Sequence, residues 1–293
     1  AIVRWGLQEN GWRVYENCAI SPPPECQVTP VADSGMSIIC SYFEDGTKCP
    51  MKNSDFPRMV VIPFDHVRFK IGVDFFNYML PEFFQNNHIA SRVVFGYGVV
   101  GMFCQDSWNG RFGVGKGHGV GWIYSQEPNS GKTEAMRMCN ALQGLFNCRL
   151  HSGSATIPAI YDRAHVLSGL TMFHDDFVAP KGNVSKSHAD MFRGFFDQVT
   201  RSVHKKTRTP FSGLCYTSND TLNDEDSAFQ TRLLLMKFED MHSVSSSTDI
   251  YQTWTAYLQL ISALIPDFMS LGYIVNEDQT ECVLDTCAFI DWA

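Results

Sequence analysis

Charge is scarce in this chain of 293 residues: 18% of the side chains are Asp, Glu, Lys or Arg, against 44% apolar and 13% aromatic. So little charge beside so much apolar material excludes a disordered chain and is enough to bury one large core or two smaller ones. Basic residues are the scarcer sign, 23 against 31 acids, for a formal net charge of -8. Nucleic-acid binding therefore cannot rest on overall charge and would need a local basic element. Long apolar runs are missing as well. The most apolar stretch, 257–275, is interrupted by Gln259, Pro266 and Asp267, and a membrane helix needs about 18 uninterrupted residues. The opening AIVRWGLQENGW holds no signal-like apolar region, and internal repeats are absent. Close cysteine pairs are lacking: Cys18, Cys26, Cys40 and Cys49 are separated by 8, 14 and 9 positions, which argues against a structural zinc site. Ten cysteines fall far below the density of a small disulfide-stapled domain. Cys139 and Cys215 lie inside apolar runs, where a thiol acts as a small hydrophobe. The expectation is a chain of a reducing compartment, cytoplasmic or nuclear, neither secreted nor membrane-bound.

What is present divides the chain into four stretches. Residues 1–58 are rich in Cys, Pro and turn residues without a sustained period and read as an irregular accessory region. Residues 59–118 read as a helical lead-in: MVVIPF resembles a strand, and VDFFNYMLPEFF and HIASRVVFGYGVVGMF are aromatic-rich helical segments. The glycines of GRFGVGKGHGVG, 110–121, fit no GxGxxG register and read as a connector. From 119 to 243 strands and helices alternate: GWIYS, a helix from Thr133, CRLHS, a helix from Pro158, LTMFHDD, a helix from Ser187, GLCYTSN and LLLMKFE. That order predicts an α/β fold with a central, mainly parallel sheet between crossover helices. Residues 244–293 read as a C-terminal helical segment.

The segment Ser125-Gln-Glu-Pro-Asn-Ser-Gly-Lys-Thr133 leaves an apolar strand and enters a helix with Ala135, Cys139, Leu142 and Phe146 on one face. A loop so placed points backbone N–H groups at phosphate oxygens, with Lys132 in reach of the β- and γ-phosphates and the Thr133 hydroxyl on Mg²⁺. It matches the Walker A motif with one departure, Gln126 in place of the first glycine. Glu127, Pro128, Asn129, Ser130, Gly131, Lys132 and Thr133 are the expected nucleotide-binding residues, with ATP and Mg²⁺ as ligands. Forty-three residues after Lys132, LTMF ends in His174-Asp175-Asp176, two carboxylates at the end of a buried strand, where open α/β sheets bind ligands. Asp175 is expected to hold the metal and Asp176 to polarise the attacking water. Asn219, 44 residues beyond Asp175 at the end of GLCYTSN, is expected to orient that water. Arg232, 13 residues further on, is expected to act as a sensor or as an arginine finger for a neighbouring subunit.

This order of Walker A, Walker B, strand-terminal Asn and later Arg resembles the additional-strand P-loop ATPases. Among these it is most similar to superfamily 3 helicases and related AAA+ domains of viral and mobile-element replication proteins. The resemblance covers residues 119–240 and implies a three-layer P-loop fold and an ATP-driven motor, commonly a ring and often a hexamer, threaded by DNA. It also implies a DNA-contacting hairpin ahead of the Asn219 strand. There the chain carries Arg201-Ser-Val-His-Lys-Lys-Thr-Arg208, so His204, Lys205, Lys206 and Arg208 are the expected contacts to single-stranded DNA. Two other readings stand beside the helicase: a P-loop kinase acting on a small molecule, because Lys132 and Thr133 are common to both, and an assembly module that binds nucleotide without turnover.

Overall fold

The computed structural model describes residues 5–23, 25–31, 56–63, 66–104, 118–146, 149–178, 185–203, 206–220, 227–240, 248–271, 273–275 and 282–284. At its centre is a sheet of five parallel strands. In chain order these are β5 (Val120–Tyr124), β6 (His151–Ser152), β8 (Met172–Asp175), β11 (Leu214–Ser218) and β12 (Leu233–Lys237), and across the sheet they run β12-β5-β11-β8-β6. Because β11 pairs with both β5 and β8, its C-terminal end separates the ends of those two strands.

The three inner strands, β5, β8 and β11, are buried on both faces, which is why their sequences are continuous apolar runs rather than alternating ones; at the edge, Leu234 and Leu235 of β12 are exposed. Val120, Trp122, Met172, Leu214 and Tyr216 face one core, shared with α5 (Ile157–Val166) and α6 (Lys186–Phe196). Ile123, Phe173, Cys215 and Met236 face the other, shared with α3 (His88–Gly101), α4 (Lys132–Leu142) and α7 (Thr248–Leu260). The α/β architecture with a parallel sheet is therefore as the sequence predicts. Pro158 sits in the first turn of α5, where its missing N–H costs nothing. Ser185 caps α6 by accepting from the His188 N–H.

The lead-in forms α1 (His66–Asp74), a π-helical segment Phe75–Met79, α2 (Leu80–Phe84) and then α3. Its aromatic residues clasp the helix Thr248–Leu260: the Trp254 ring stacks on Phe83 at 4.3 Å and on Phe75 at 5.7 Å, each such pair contributing about 0.5–1.5 kcal/mol beyond its buried area. Tyr97 of α3 joins this layer to the sheet. Its hydroxyl lies 2.8 Å from the Gly119 carbonyl and 2.7 Å from that of Leu214, and accepts from the Gly121 N–H at 3.0 Å.

Two expectations are corrected here. Over its described residues the accessory region is not irregular: β1 (Trp5–Leu7), β2 (Arg13–Val14), β3 (Cys18–Ile20) and β4 (Val28–Pro30) form an antiparallel meander, and β1 pairs in parallel with β7 (Leu167–Ser168). Strands of two or three residues are too short to display a period. The meander is fastened by Arg13, 1% exposed, whose guanidinium donates to the Met102 and Gly169 carbonyls. Nor does MVVIPF join a sheet over its described residues. Its backbone bonds go to side chains, Met59 to Asn17 and the Val60 N–H to the Ser262 hydroxyl. Of the glycine-rich connector, residues 110–117 lie outside the described residues. Cys139 and Cys215 are buried free thiols, and burial pushes both well above the usual thiol range.

Candidate active site

The loop between β5 and α4 turns twice through the left-handed region, at Asn129 (φ 60°) and at Gly131 (φ 90°), the residue that caps α4. Asparagine tolerates that conformation and glycine adopts it without strain. Gln126 through Asn129 are exposed, while Ser125 and Ser130 are buried. The Ser125 N–H donates to the Ser218 carbonyl at 3.2 Å, so the loop starts from the end of β11 as well as from β5. Lys132, 9% exposed, lies beneath the loop with Nζ 3.1 Å from Ser130 Oγ, 3.3 Å from the Glu127 carbonyl and 3.5 Å from that of Ser125. Burial pulls its ammonium below the ordinary lysine range, while the Asp175 and Asp176 carboxylates oppose that shift.

Thr133 opens the helix and donates its hydroxyl to the Asp175 carboxylate, with oxygens at 3.1 and 3.2 Å. Thr217, on the intervening strand β11, donates to Asp175 Oδ1 at 2.6 Å and accepts from the Asp176 N–H at 2.8 Å. One hydroxyl therefore places both acids. Asp176 is bent into the left-handed region (φ 59°), and its Oδ1 accepts from Asn219 Nδ2 at 3.4 Å. The turn after β6 presses against this bend. The Gly153 N–H donates to the Asp175 carbonyl at 2.6 Å, and a Cβ at Gly153 would meet the Phe177 backbone at 2.5 Å, so only glycine fits.

Lys132, Thr133, Asp175, Asp176 and Asn219 are thus brought to one end of the sheet, and a cavity of about 700 Å³ opens against Thr133, Asp175 and Asp176, within the size range of small-molecule sites. Arg232 is not brought there. It precedes β12, level with Val120 at the start of β5, where the Val120 N–H donates to its carbonyl. A five-residue strand, about 16 Å, separates it from its own loop, so a sensor role within one chain is corrected. Its guanidinium lies 3.6 Å from Asp197 and over the Phe196 ring.

Ahead of β11, β9 (Arg201–Val203) and β10 (Lys206–Arg208) form an antiparallel hairpin with Arg201 opposite Arg208. His204, Lys205 and the side chain of Lys206 lie outside the described residues. Arg208 is turned inward, 4% exposed, with Nε on Asp162 Oδ1 at 2.8 Å. Its expected contact to nucleic acid is corrected to an anchor that holds the hairpin on α5. Exposed Arg201 lies over the Tyr161 ring at 5.8 Å.

Two further residues of this site stand outside the sequence motifs. Thr217 has a signal, a hydroxyl one step inside the strand that ends near Asn219. Gly153 has none, since the need for it comes from backbone that is distant in sequence. His174 is buried beside the strand end and stacked on Tyr216; burial lowers its imidazole to about 4. Among the described residues no group of three or more His, Cys, Asp or Glu could hold a metal, so a divalent ion at Asp175 would need the Thr133 hydroxyl and ligand oxygens. That donor set is all oxygen and suits Mg²⁺.

Together, a parallel sheet layered by helices and a Lys-Thr loop facing a strand-terminal Asp pair define an α/β protein with its candidate site at one end of the sheet. No protein-family model and no curated protein matches the chain. Among solved structures it is similar to SCCmec type IV Cch, described as an active helicase, with a TM-score of 0.52 and 11% identity over 91% of this chain and 46% of that one. The chain therefore spans about half the length of Cch. The C-terminal region of NrS-1 (TM-score 0.41, 12% identity, 76% of this chain and 50% of that one) and the JCV helicase (0.33, 15%, 78% and 67%) are more distant in shape. At 11% identity the likeness to Cch is one of fold. Among the described residues no helix is long and apolar enough to cross a membrane.

Proposed function

We propose that the chain is an additional-strand P-loop ATPase of the superfamily 3 type that couples ATP hydrolysis to the remodelling of single-stranded DNA. The observation that carries this reading is the Thr133 hydroxyl on the Asp175 carboxylate, with Lys132 under the loop and Asn219 on Asp176. Lys132 pairs with the β- and γ-phosphates, the loop N–H groups take the remaining oxygens, and Thr133 with Asp175 holds Mg²⁺. The ion, when bound, supplies charge neutralisation on the phosphate oxygens. Asn219 engages one oxygen of Asp176, and the other takes a proton from water as its oxygen attacks the γ-phosphorus. The bond to the β–γ bridging oxygen breaks, leaving ADP and inorganic phosphate. Arg232, remote from its own loop, serves a neighbouring copy's nucleotide in a ring, possible only in an oligomer such as a hexamer. His204, Lys205 and Lys206 of the hairpin track DNA phosphates.

ATP turnover measured with and without single-stranded DNA tests this reading. Stimulation is expected, and Lys205→Ala with Lys206→Ala is expected to remove it while leaving basal turnover in place. Stimulation that survives the pair counts against the hairpin, and no hydrolysis in the intact oligomer counts against the enzyme. Thr217→Val removes the hydroxyl that aligns both acids, and partners of metal-holding groups are typically worth 10–100-fold in metal affinity or activity. A Mg²⁺ titration of turnover is expected to shift by about that factor, and an unmoved curve would take Thr217 out of the site.

A nucleotide-binding assembly module without turnover is the second reading, favoured by Gln126 in the loop and by the short side chain of Asp176. Tight ATP binding with no hydrolysis at high protein concentration would establish it.

A further inference from the structure

We propose that Asn87, outside every motif of the loop and sheet, is a positioning residue that sets the height of the phosphate-binding loop; the inference rests on the nucleotide reading of that loop. Asn87 joins α2 to α3 and is 2% exposed. Its Nδ2 donates to the Ser130 carbonyl at 3.0 Å and to the Glu239 carbonyl at 2.7 Å, and its Oδ1 accepts from the Glu239 N–H at 2.9 Å. One buried amide thus spends both donors and an acceptor on the backbone of two segments, the loop and the exit of β12. Ser130, the residue it holds, is in turn 3.1 Å from Lys132 Nζ through its hydroxyl. Asn87 therefore acts on the lysine through one intermediate residue, without touching substrate itself.

The local backbone supports a built device rather than incidental packing. Gln85, two residues earlier, is held at φ 51°, ψ -119°, a conformation rarely adopted by a residue with a Cβ and retained where the surroundings enforce it. The neighbouring Asn86 supplies an internal control. It donates to the Asp240 carbonyl at 2.7 Å, tying the same turn to the same strand exit without a bond to the loop. Beyond its burial and its second bond to the strand exit, what sets Asn87 apart from exposed Asn86 is the Ser130 contact.

The test compares Asn87→Ala and Asn86→Ala in the full chain by ATP titration and steady-state turnover with Mg²⁺. Loss of the amide is expected to raise KM for ATP by about tenfold, with a smaller change in kcat, while Asn86→Ala stays within about twofold of the parent. A double-mutant cycle with Ser130→Ala gives the readout that general destabilisation would not move: the Asn87 effect is expected to shrink in the Ser130→Ala background, and the Asn86 effect to add. Should Asn87→Ala not fold, Asn87→Ser carries the same comparison. Parental KM in a folded Asn87 variant, or additivity with Ser130→Ala, overturns the inference while the nucleotide site stands. A parent that binds no ATP overturns both.

Discussion

Lys132→Ala is expected to weaken ATP binding by about a hundredfold and to end turnover. The ammonium is the one cation of the loop, and a hydrogen bond to a charged group contributes about 1.5–3 kcal/mol, roughly 10- to 150-fold in affinity. Stability should not fall with it. Burial disfavours the charged form in the folded chain, so removing the group removes a desolvation cost along with three long contacts. Calorimetric titration with ATP beside a thermal melt separates the two effects, and near-parental affinity would show that phosphate is not held there. The same shift gives a pH dependence: with the ammonium pulled below the ordinary lysine range, ATP affinity is expected to decline with rising pH sooner than an exposed lysine would dictate.

Asp176→Asn is expected to leave ATP affinity within a few-fold of the parent and to lower turnover by about 10²- to 10⁴-fold, the usual range for a general base. The substitution keeps the shape and the oxygen that accepts from Asn219, so the bend at φ 59° has no new steric reason to open. What it removes is the proton acceptor. Single-turnover kinetics with Mg²⁺-ATP, set beside equilibrium binding, checks the split, and normal turnover would move the base to another residue. The contrast with Lys132→Ala is the sharper result, one variant losing binding and the other losing only chemistry.

Local pattern carried far in the core. The apolar runs around Trp122, Phe173 and Tyr216 read as strands because each is buried on both faces, and the Gly131-Lys132-Thr133 step marks where strand gives way to helix. The sheet's order was not legible, and neither was the contact between Thr133 and Asp175, 42 positions apart. The terminal meander was misread because strands as short as Arg13–Val14 leave no periodic trace, and MVVIPF because hydropathy cannot reveal that Asn17 and Ser262 would satisfy its backbone. Arg208 looked like one more cation in a basic run. Only the fold showed its guanidinium spent on Asp162.

The chain's own order of residues determined the class of architecture and the end of the sheet where the proposed phosphate site lies, since hydrophobic periodicity and glycine's tolerance of positive φ act over a few neighbouring positions. Tertiary structure alone decided which side chains share that end: the insertion of β11 between β5 and β8 put Thr217 against both aspartates, and the α2–α3 junction put Asn87 against the loop. Strand length alone carried Arg232 away from it. Those are through-space contacts between residues tens to more than a hundred positions apart, and their geometry exists only after the sheet has closed its pairing.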